Sequence, residues 1–299
     1  MTQAATEQIL TTREPFLETY PVPERYGKPL NPGGALQYVI ILSHCHYDHI
    51  GGIEQFLEGG NTEIIASAAG RDFIESDLAA HSLCKHMNIP TPSFKVTHWA
   101  QSNERLTWPL RKSLPGDNAA LQVDRDQPAD LGIIVLHTPG HTPDSLCWFD
   151  YDERTLYVGD TLYMLGSELE PIYIPPQGDL VEWFHSLEKI TTFILRNQLP
   201  GVHGELLVSA SHTTCNADAW PFVRSAMALQ GPLIQGEPLG SLIRYDEIFD
   251  YYIAPDSEGS PYRMAILLPR RLVHFARAYY GFASRRSSVR SRGSPSLAQ

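Results

Sequence analysis

The sequence predicts an α/β chain in which sheets are covered by helices. Short apolar strand signals recur along it, some in hairpin-like runs, and stretches of helical periodicity alternate with them. A further regularity concerns the strand ends. Several of these apolar runs lead directly into histidine or aspartate.

The run Tyr38-Val39-Ile40-Ile41-Leu42 reads as a short buried strand. Beyond it, Ile50, Ile53, Phe56 and Leu57 follow helical spacing, which Gly59-Gly60 ends. Glu63 to Ala66 is the next strand, and Arg71 to Leu83 predicts a helix. The stretch from Met87 to Gln127 is rich in Pro, Asn and isolated aromatics, so it reads as loops with short strands, a lid or wall over a site. Strand signals return at Ile133 to Leu136, Ser145 to Phe149 and Thr155 to Val158. Asp179 is placed to cap a helix that carries Leu180, Val181, Phe184, Leu187, Ile190 and Ile194 on one face. Leu206 to Ala210 is another strand. A helix follows from about Asp218 to Leu229, with Pro221 in its first turn, where a missing N–H is tolerated.

At 299 residues, 42% hydrophobic and 19% charged, the chain has the composition of a soluble globular protein with a sizeable core. No stretch approaches the ~20 apolar residues of a membrane helix. The first residues lack the basic start and apolar core of a secretory signal. Cys45, Cys84, Cys147 and Cys215 lie far apart with no CxxC pair, so a reduced, cytoplasmic setting is expected. A net charge of −11 weighs against nucleic acid as a partner. Three segments are expected. Residues 1–35 form an irregular start with one short helix, Pro15 to Tyr20, and 36–284 form the main domain. Residues 285–299 are a disordered tail with four arginines among serines.

The chemistry concentrates in Ser43-His44-Cys45-His46-Tyr47-Asp48-His49-Ile50-Gly51-Gly52. Side chains two apart on a strand share a face, so His44 and His46 aim at one point from its end, and Asp48 and His49 can turn toward a second. Imidazole with carboxylate is a ligand set for zinc, and iron or manganese can also use it. Three other strand ends resemble this one. Leu136 leads into His137-Thr138-Pro139-Gly140-His141-Thr142, Val158 into Gly159-Asp160-Thr161, and Ala210 into Ser211-His212.

HxHxDH followed by Gly-Gly, then TPGHT, then GDT, then a strand ending in His, resembles the metallo-β-lactamase-fold hydrolase superfamily over roughly residues 36 to 220. The resemblance implies an αββα sandwich. It implies one metal site from His44, His46 and His141 and a second from Asp48, His49 and His212, with Asp160 bridging them. His137 takes an outer, structural position. Cys45 and Tyr47 alternate with the ligands and are expected to face away. For the last ligand His203 competes with His212, and His212 is preferred because an apolar strand delivers it. His81, His86, His98, His185 and His274 have no motif around them and read as surface or packing residues.

Two divalent metals, expected to be zinc, can lower the pKa of a shared water from 15.7 toward ~7 and polarise a carbonyl. The function expected is therefore hydrolysis of an ester-type bond by a metal-bridging hydroxide, with Asp48 or Asp160 as the catalytic group that accepts or relays the proton. No GxSxG nucleophile elbow is present. TPGHT-x-x-S followed by GDTLY is most similar to the glyoxalase II and acyl-CoA thioesterase branches, which implies a thioester such as an acyl-CoA or acyl-glutathione as the small-molecule substrate. Trp99, Trp108, Tyr163, Tyr173 and Trp183 are candidates for an acyl pocket, with core packing the simpler role. The alternatives are a lactonase or β-lactam-type hydrolase, a mononuclear iron dioxygenase, and an inactive metal-binding scaffold. One departure stands out: the family pattern places strands before HxHxDH, whereas 43 residues precede His44 and Pro21 to Gly34 cannot supply a sheet. The sandwich is expected to lack its N-terminal strands, to be less stable for it, and to pair as a homodimer through the gap.

Overall fold

A computed structural model describes residues 38–60, 62–109, 128–166, 170–198, 206–256 and 260–282. The expectations for residues 1–35, for the tail 285–299, for 110–127 and for His203 lie outside the described residues.

The first apolar run forms β1 (Tyr38–Ile41). The helix expected after it is broken into α1 (Tyr47–Ile50), a single turn, and 3-10 turns at Ile53–Phe56 and Glu58–Gly60. Gly51-Gly52 interrupts it, because glycine gains least from helix formation, and Gly59 at φ 78° turns the chain out. β2 (Thr62–Ser67) follows. The helix expected over Arg71 to Leu83 is split as well, into α2 (Arg71–Ser76) and α3 (Leu78–His81), before α4 (Cys84–Met87). Asp77 makes the break: its backbone leaves the helical region at φ −157° and ψ 77°, and its carboxylate accepts from the Ala80 N–H at 3.1 Å to cap α3. β3 (His98–Ala100) completes a parallel sheet of order β1-β2-β3.

β4 (Arg105–Pro109), β5 (Pro128–His137), β6 (Leu146–Asp150) and β7 (Thr155–Tyr157) run antiparallel in the second sheet. After the two-residue β8 (Ile172–Tyr173) comes α5 (Leu180–Asn197), where the Asp179 carboxylate accepts from the Val181 and Glu182 N–H groups at 2.8 and 3.1 Å. β9 (Leu207–Ser209) and β10 (Ala217–Asp218) extend the second sheet to the order β10-β9-β7-β6-β5-β4, and α6 (Ala219–Met227) packs behind it.

Side-chain alternation sorts the strands into layers. Ile40 and Ile64 pack on the outer face of the first sheet with Leu42, Cys45, Ile50, Ile53 and Ile74 from the short helices and loops. Their neighbours Val39, Ile41 and Ile65 point inward to meet Leu106, Val135, Leu146 and Trp148 of the second sheet. The far face of that sheet, carrying Leu136, Cys147, Phe149 and Leu156, covers Trp183, Leu187 and Ile190 of α5 and Phe222 of α6. Each fully buried large side chain contributes about 1.5–3 kcal/mol, so period-two alternation holds three layers of contact together. Helix, sheet, sheet and helix are stacked as the αββα order requires.

Beyond α6 lies structure that the sequence reading assigned to no element. α7 (Gln230–Gln235) precedes β11 (Gly240–Arg244), β12 (Glu247–Ile253), β13 (Ala265–Pro269) and α8 (Arg270–Tyr279). These strands join β8 in a third sheet of order β11-β12-β13-β8. Its inner side is anchored by buried Asp250, which accepts from Arg270 Nε at 2.9 Å and Nη2 at 2.7 Å. Among the described residues, no helix is long and apolar enough to cross a membrane.

Candidate metal centre

Four strand ends converge at one edge of the two main sheets. Leu42 N–H still donates to Ile65 O, and Leu146 N–H donates to Ser43 O at 2.7 Å, which ties the loop after β1 to the start of β6. Two glycines permit the approach. Gly159 has φ 52° and lies so close to Ser43 that a Cβ there would sit 2.7 Å from the serine's own. Gly140 has φ 133°, and a Cβ would fall 2.4 Å from Trp183 Cα, so only glycine lets the TPGHT loop rest on α5. His212 lies three residues beyond β9 in a turn, in the left-handed region at φ 64°. The strand aims the turn, and the turn aims the ring.

The seven residues named from the sequence fall into two groups that share Asp160. In the first, His44 Nε2 is 2.9 Å from His46 Nδ1, which is 3.0 Å from His141 Nε2. Asp160 Oδ2 lies 3.9 Å from the His44 nitrogen and 3.7 Å from that of His141. In the second, His49 Nε2 is 3.2 Å from Asp160 Oδ1 and 3.8 Å from Asp48 Oδ2, and His212 Nε2 is 3.3 Å from Asp160 Oδ2. Within each group all the donor atoms lie within 4.8 Å of one another. Two ligands on a tetrahedral zinc are about 3.3 Å apart, given bond lengths of ~2.0–2.2 Å. The donor set therefore fits a divalent metal ion in both composition and spacing. The buried Asp160 Oδ1 has no well-aligned hydrogen-bond donor, its polar neighbour being His49 Nε2 at 3.2 Å.

Electrostatics divide the groups. Burial, then the neighbouring imidazoles of His49 and His46, holds His44 well below the ordinary histidine value. Burial and His141 do the same to His46, and burial lowers His141 itself. These shifts favour the neutral form of all three rings, the form that offers a lone pair to a cation. Burial works against the charge of Asp160, but His212, His49, His44 and His141 outweigh it and keep the carboxyl well below the usual range. His49 is raised, with Asp160 overcoming its burial, and His212 is raised chiefly by its hydrogen bond to Asp160.

Further residues, to which the sequence assigned no part in the ligand set, orient the rings. Ser43 Oγ lies 3.2 Å from His44 Nδ1 and 3.1 Å from His49 Nδ1, so one hydroxyl serves a ring of each group. The Tyr173 carbonyl oxygen accepts from His141 Nδ1 at 2.8 Å, which leaves Nε2 as the donor to a metal. The Gln177 side-chain amide is 3.4 Å from His46 Nε2. No sequence signal marks them: a backbone carbonyl has no residue signature, and Ser43 and Gln177 have no distinctive spacing.

Other expectations are placed as follows. His137 joins neither group; its Nε2 lies 2.9 Å from the Pro143 carbonyl oxygen. Cys45 is buried in the outer core, and burial together with Asp144 raises its thiol. Tyr47 is half-buried at the rim. Trp183 and Tyr163 are buried; the indole N–H of Trp183 donates to Thr161 O and the Tyr163 hydroxyl to Pro171 O. A groove of about 690 Å³ starts at His49 and His212 and runs along Leu42, Ile41, Trp148 and Tyr157.

Comparison with known proteins matches the chain to the model of the metallo-beta-lactamase superfamily over residues 38–193, which takes in six of the seven residues and leaves His212 beyond its end. A protein of Aspergillus versicolor, provisionally named transcription factor avaE, is 34% identical over 191 residues, covering 63% of this chain and 51% of its own length. The acyl-coenzyme A thioesterase MBLAC2 of Gallus gallus is 27% identical over 174 residues, covering 58% of this chain and 59% of its own. A hydroxyacylglutathione hydrolase of Pelagibacter ubique (strain HTCC1062) is 24% identical over 151 residues, covering 50% and 45%. The chain thus spans between 45% and 59% of the length of these curated relatives. With that match over 38–193 and the sandwich of layers described above, the chain belongs to the metallo-beta-lactamase superfamily.

Proposed function

We propose that the chain is a two-zinc hydrolase that cleaves a thioester, with an acyl-CoA or acyl-glutathione as substrate. The observation that carries this reading is the pair of donor groups sharing Asp160. His44, His46 and His141 would hold one ion, Asp48, His49 and His212 the other, and Asp160 both. Bound there, the ions supply Lewis acidity that polarises a carbonyl and makes water acidic near neutral pH.

The chain's own residues do the rest. Asp160 stays ionised through its imidazole neighbours and supplies negative charge at the junction. Asp48, exposed beside His49, is placed to accept a proton and pass it to solvent. Ser43 and the Tyr173 carbonyl hold three rings in the orientation that catalysis requires. A thiolate leaves without a positioned acid, which suits a site where the two carboxylates are acceptors. The resemblance to an acyl-coenzyme A thioesterase and a hydroxyacylglutathione hydrolase supports the thioester over a lactone or β-lactam.

The test is a panel of acyl-CoA, acyl-glutathione, lactone and β-lactam substrates on the zinc-loaded protein, with Asp48→Ala alongside. Thioester kcat/KM is expected to exceed that of the other classes by about 100-fold, and D48A to lose at least about 100-fold while remaining folded. Preference for a lactone or β-lactam, or full activity in D48A, would overturn the reading.

A further inference from the structure

The hairpin of β11 and β12, which lies beyond the family match, reaches back to the metal centre. Its strands pair from Gly240↔Tyr251 to Arg244↔Glu247, so Tyr245 and Asp246 alone make the turn. Both are left-handed, at φ 52° and 60°. Hairpin turns of this kind favour Asn and Gly, and an aromatic held there is the sort of strain found at ligand clamps. The turn rests on α4 and on one support of the site. The Tyr245 ring packs edge-on to His86 of α4, with centroids 4.5 Å apart. The Arg244 guanidinium lies over the Tyr173 ring at 4.9 Å and the Tyr245 ring at 5.4 Å. Tyr173 is the residue whose carbonyl orients His141. Arg244 also acts electrostatically on Tyr47, which stands between His46 and Asp48 in the ligand motif.

Arg244 is exposed, and among the described residues no carboxylate pairs with it and no acceptor takes its N–H groups. The nearest expected partner, Glu247 directly across the hairpin, is occupied by Arg271 Nε at 2.8 Å. A guanidinium that lies over two aromatic rings, with its N–H groups taken by no acceptor among the described residues, can grip a carboxylate or phosphate in bidentate fashion. On a chain of net charge −11, a cation held over Tyr173, whose carbonyl orients His141, also steers anions toward that side.

We propose that Arg244, stacked on Tyr173 and Tyr245 at the hairpin tip, is a specificity-determining residue that binds an anionic group, phosphate or carboxylate, on the thiol half of the substrate. The assignment rests on the thioester reading. It adds that the C-terminal sheet, through one side chain, selects the carrier.

The test compares wild type, Arg244→Gln and Arg244→Lys on three thioesters with one acyl chain: its CoA ester, its glutathione ester and its uncharged N-acetylcysteamine ester. In R244Q the kcat/KM for a charged carrier is expected to fall at least about tenfold relative to the uncharged ester, mainly through KM, with R244K between. A fall confined to the CoA ester identifies phosphate as the anion, and one confined to the glutathione ester identifies carboxylate. Equal changes on all three esters, or none, overturn the proposal. Calorimetric binding of free CoA and glutathione supplies a second readout that needs no turnover. Should no thioester be cleaved, weaker binding of either thiol to R244Q than to wild type still supports the anion site, whereas equal affinities, or no binding to wild type, overturn it.

Discussion

The two donor groups differ in what holds them. His44, His46 and His141 are buried at strand ends, and the Tyr173 carbonyl fixes the His141 ring, while the Ser43 hydroxyl is shared between His44 and His49 of the other group. Asp48 and His212 keep 36% and 32% of their side-chain surface exposed, and His49 keeps 15%. Burial makes the first three imidazoles reluctant to protonate, whereas Asp160 makes His49 and His212 hold a proton more tightly than usual. The buried group is prepared for a cation before any arrives. In the exposed group protons compete more strongly with a cation for His49 and His212, and the group faces solvent. A single site can thus combine a structural anchor with an exchangeable, reactive side.

The largest effect that would break this division comes from Asp160, the member of both groups. Asp160→Ala is expected to lower kcat/KM by at least about 1,000-fold and to reduce metal content at both positions, as elemental analysis would read. Two ions retained per chain would mean that the groups do not depend on the shared carboxylate. A smaller effect separates the groups. His46→Ala is expected to destabilise the metal-free chain by about 1–3 kcal/mol, because it empties a packed site, whereas His212→Ala changes it by less than about 1 kcal/mol. Denaturant unfolding of the two variants measures this, and equal losses would abolish the contrast. The smallest effect is in pH. A histidine of raised pKa competes with a metal from higher pH, so metal at Asp48, His49 and His212 is expected to leave first as pH falls through the raised values. The position at His44, His46 and His141, whose values are lowered, is expected to hold its ion further into acid. Release of both ions in one step during dialysis at descending pH would show the positions to be equivalent.

Much of the site was legible from residue identity. Histidine two residues from histidine at the end of an apolar strand can serve few purposes, and TPGHT and GDT repeat the arrangement at His141 and Asp160. The helices were less legible where a local competitor was present. Gly51-Gly52 broke one expected helix and Asp77 another, since a short side chain that caps the backbone costs little locally and ends the periodicity. The third sheet was not legible. β8 has two residues, and the outer face of β11 carries exposed Ile243 where burial would be the expectation, so neither run announces a strand. Ser43, Gln177 and the Tyr173 carbonyl were invisible because their role lies in direction, which no residue type encodes.

The sequence by itself supplied the candidate donors and, through the family resemblance of its motifs, the expected layer order, because motif spacing and ligand chemistry are properties of neighbouring residues. Tertiary structure decided which donors meet. His46 and His141 are 95 residues apart, and Asp160 and His212 are 52 apart, yet each pair lies within 3.3 Å. Tertiary structure also decided that one group is buried while the other is open, and that Arg244, from beyond the family match, lies over Tyr173, whose carbonyl orients His141. Those properties depend on dielectric and distance, which exist only once the sheets have packed.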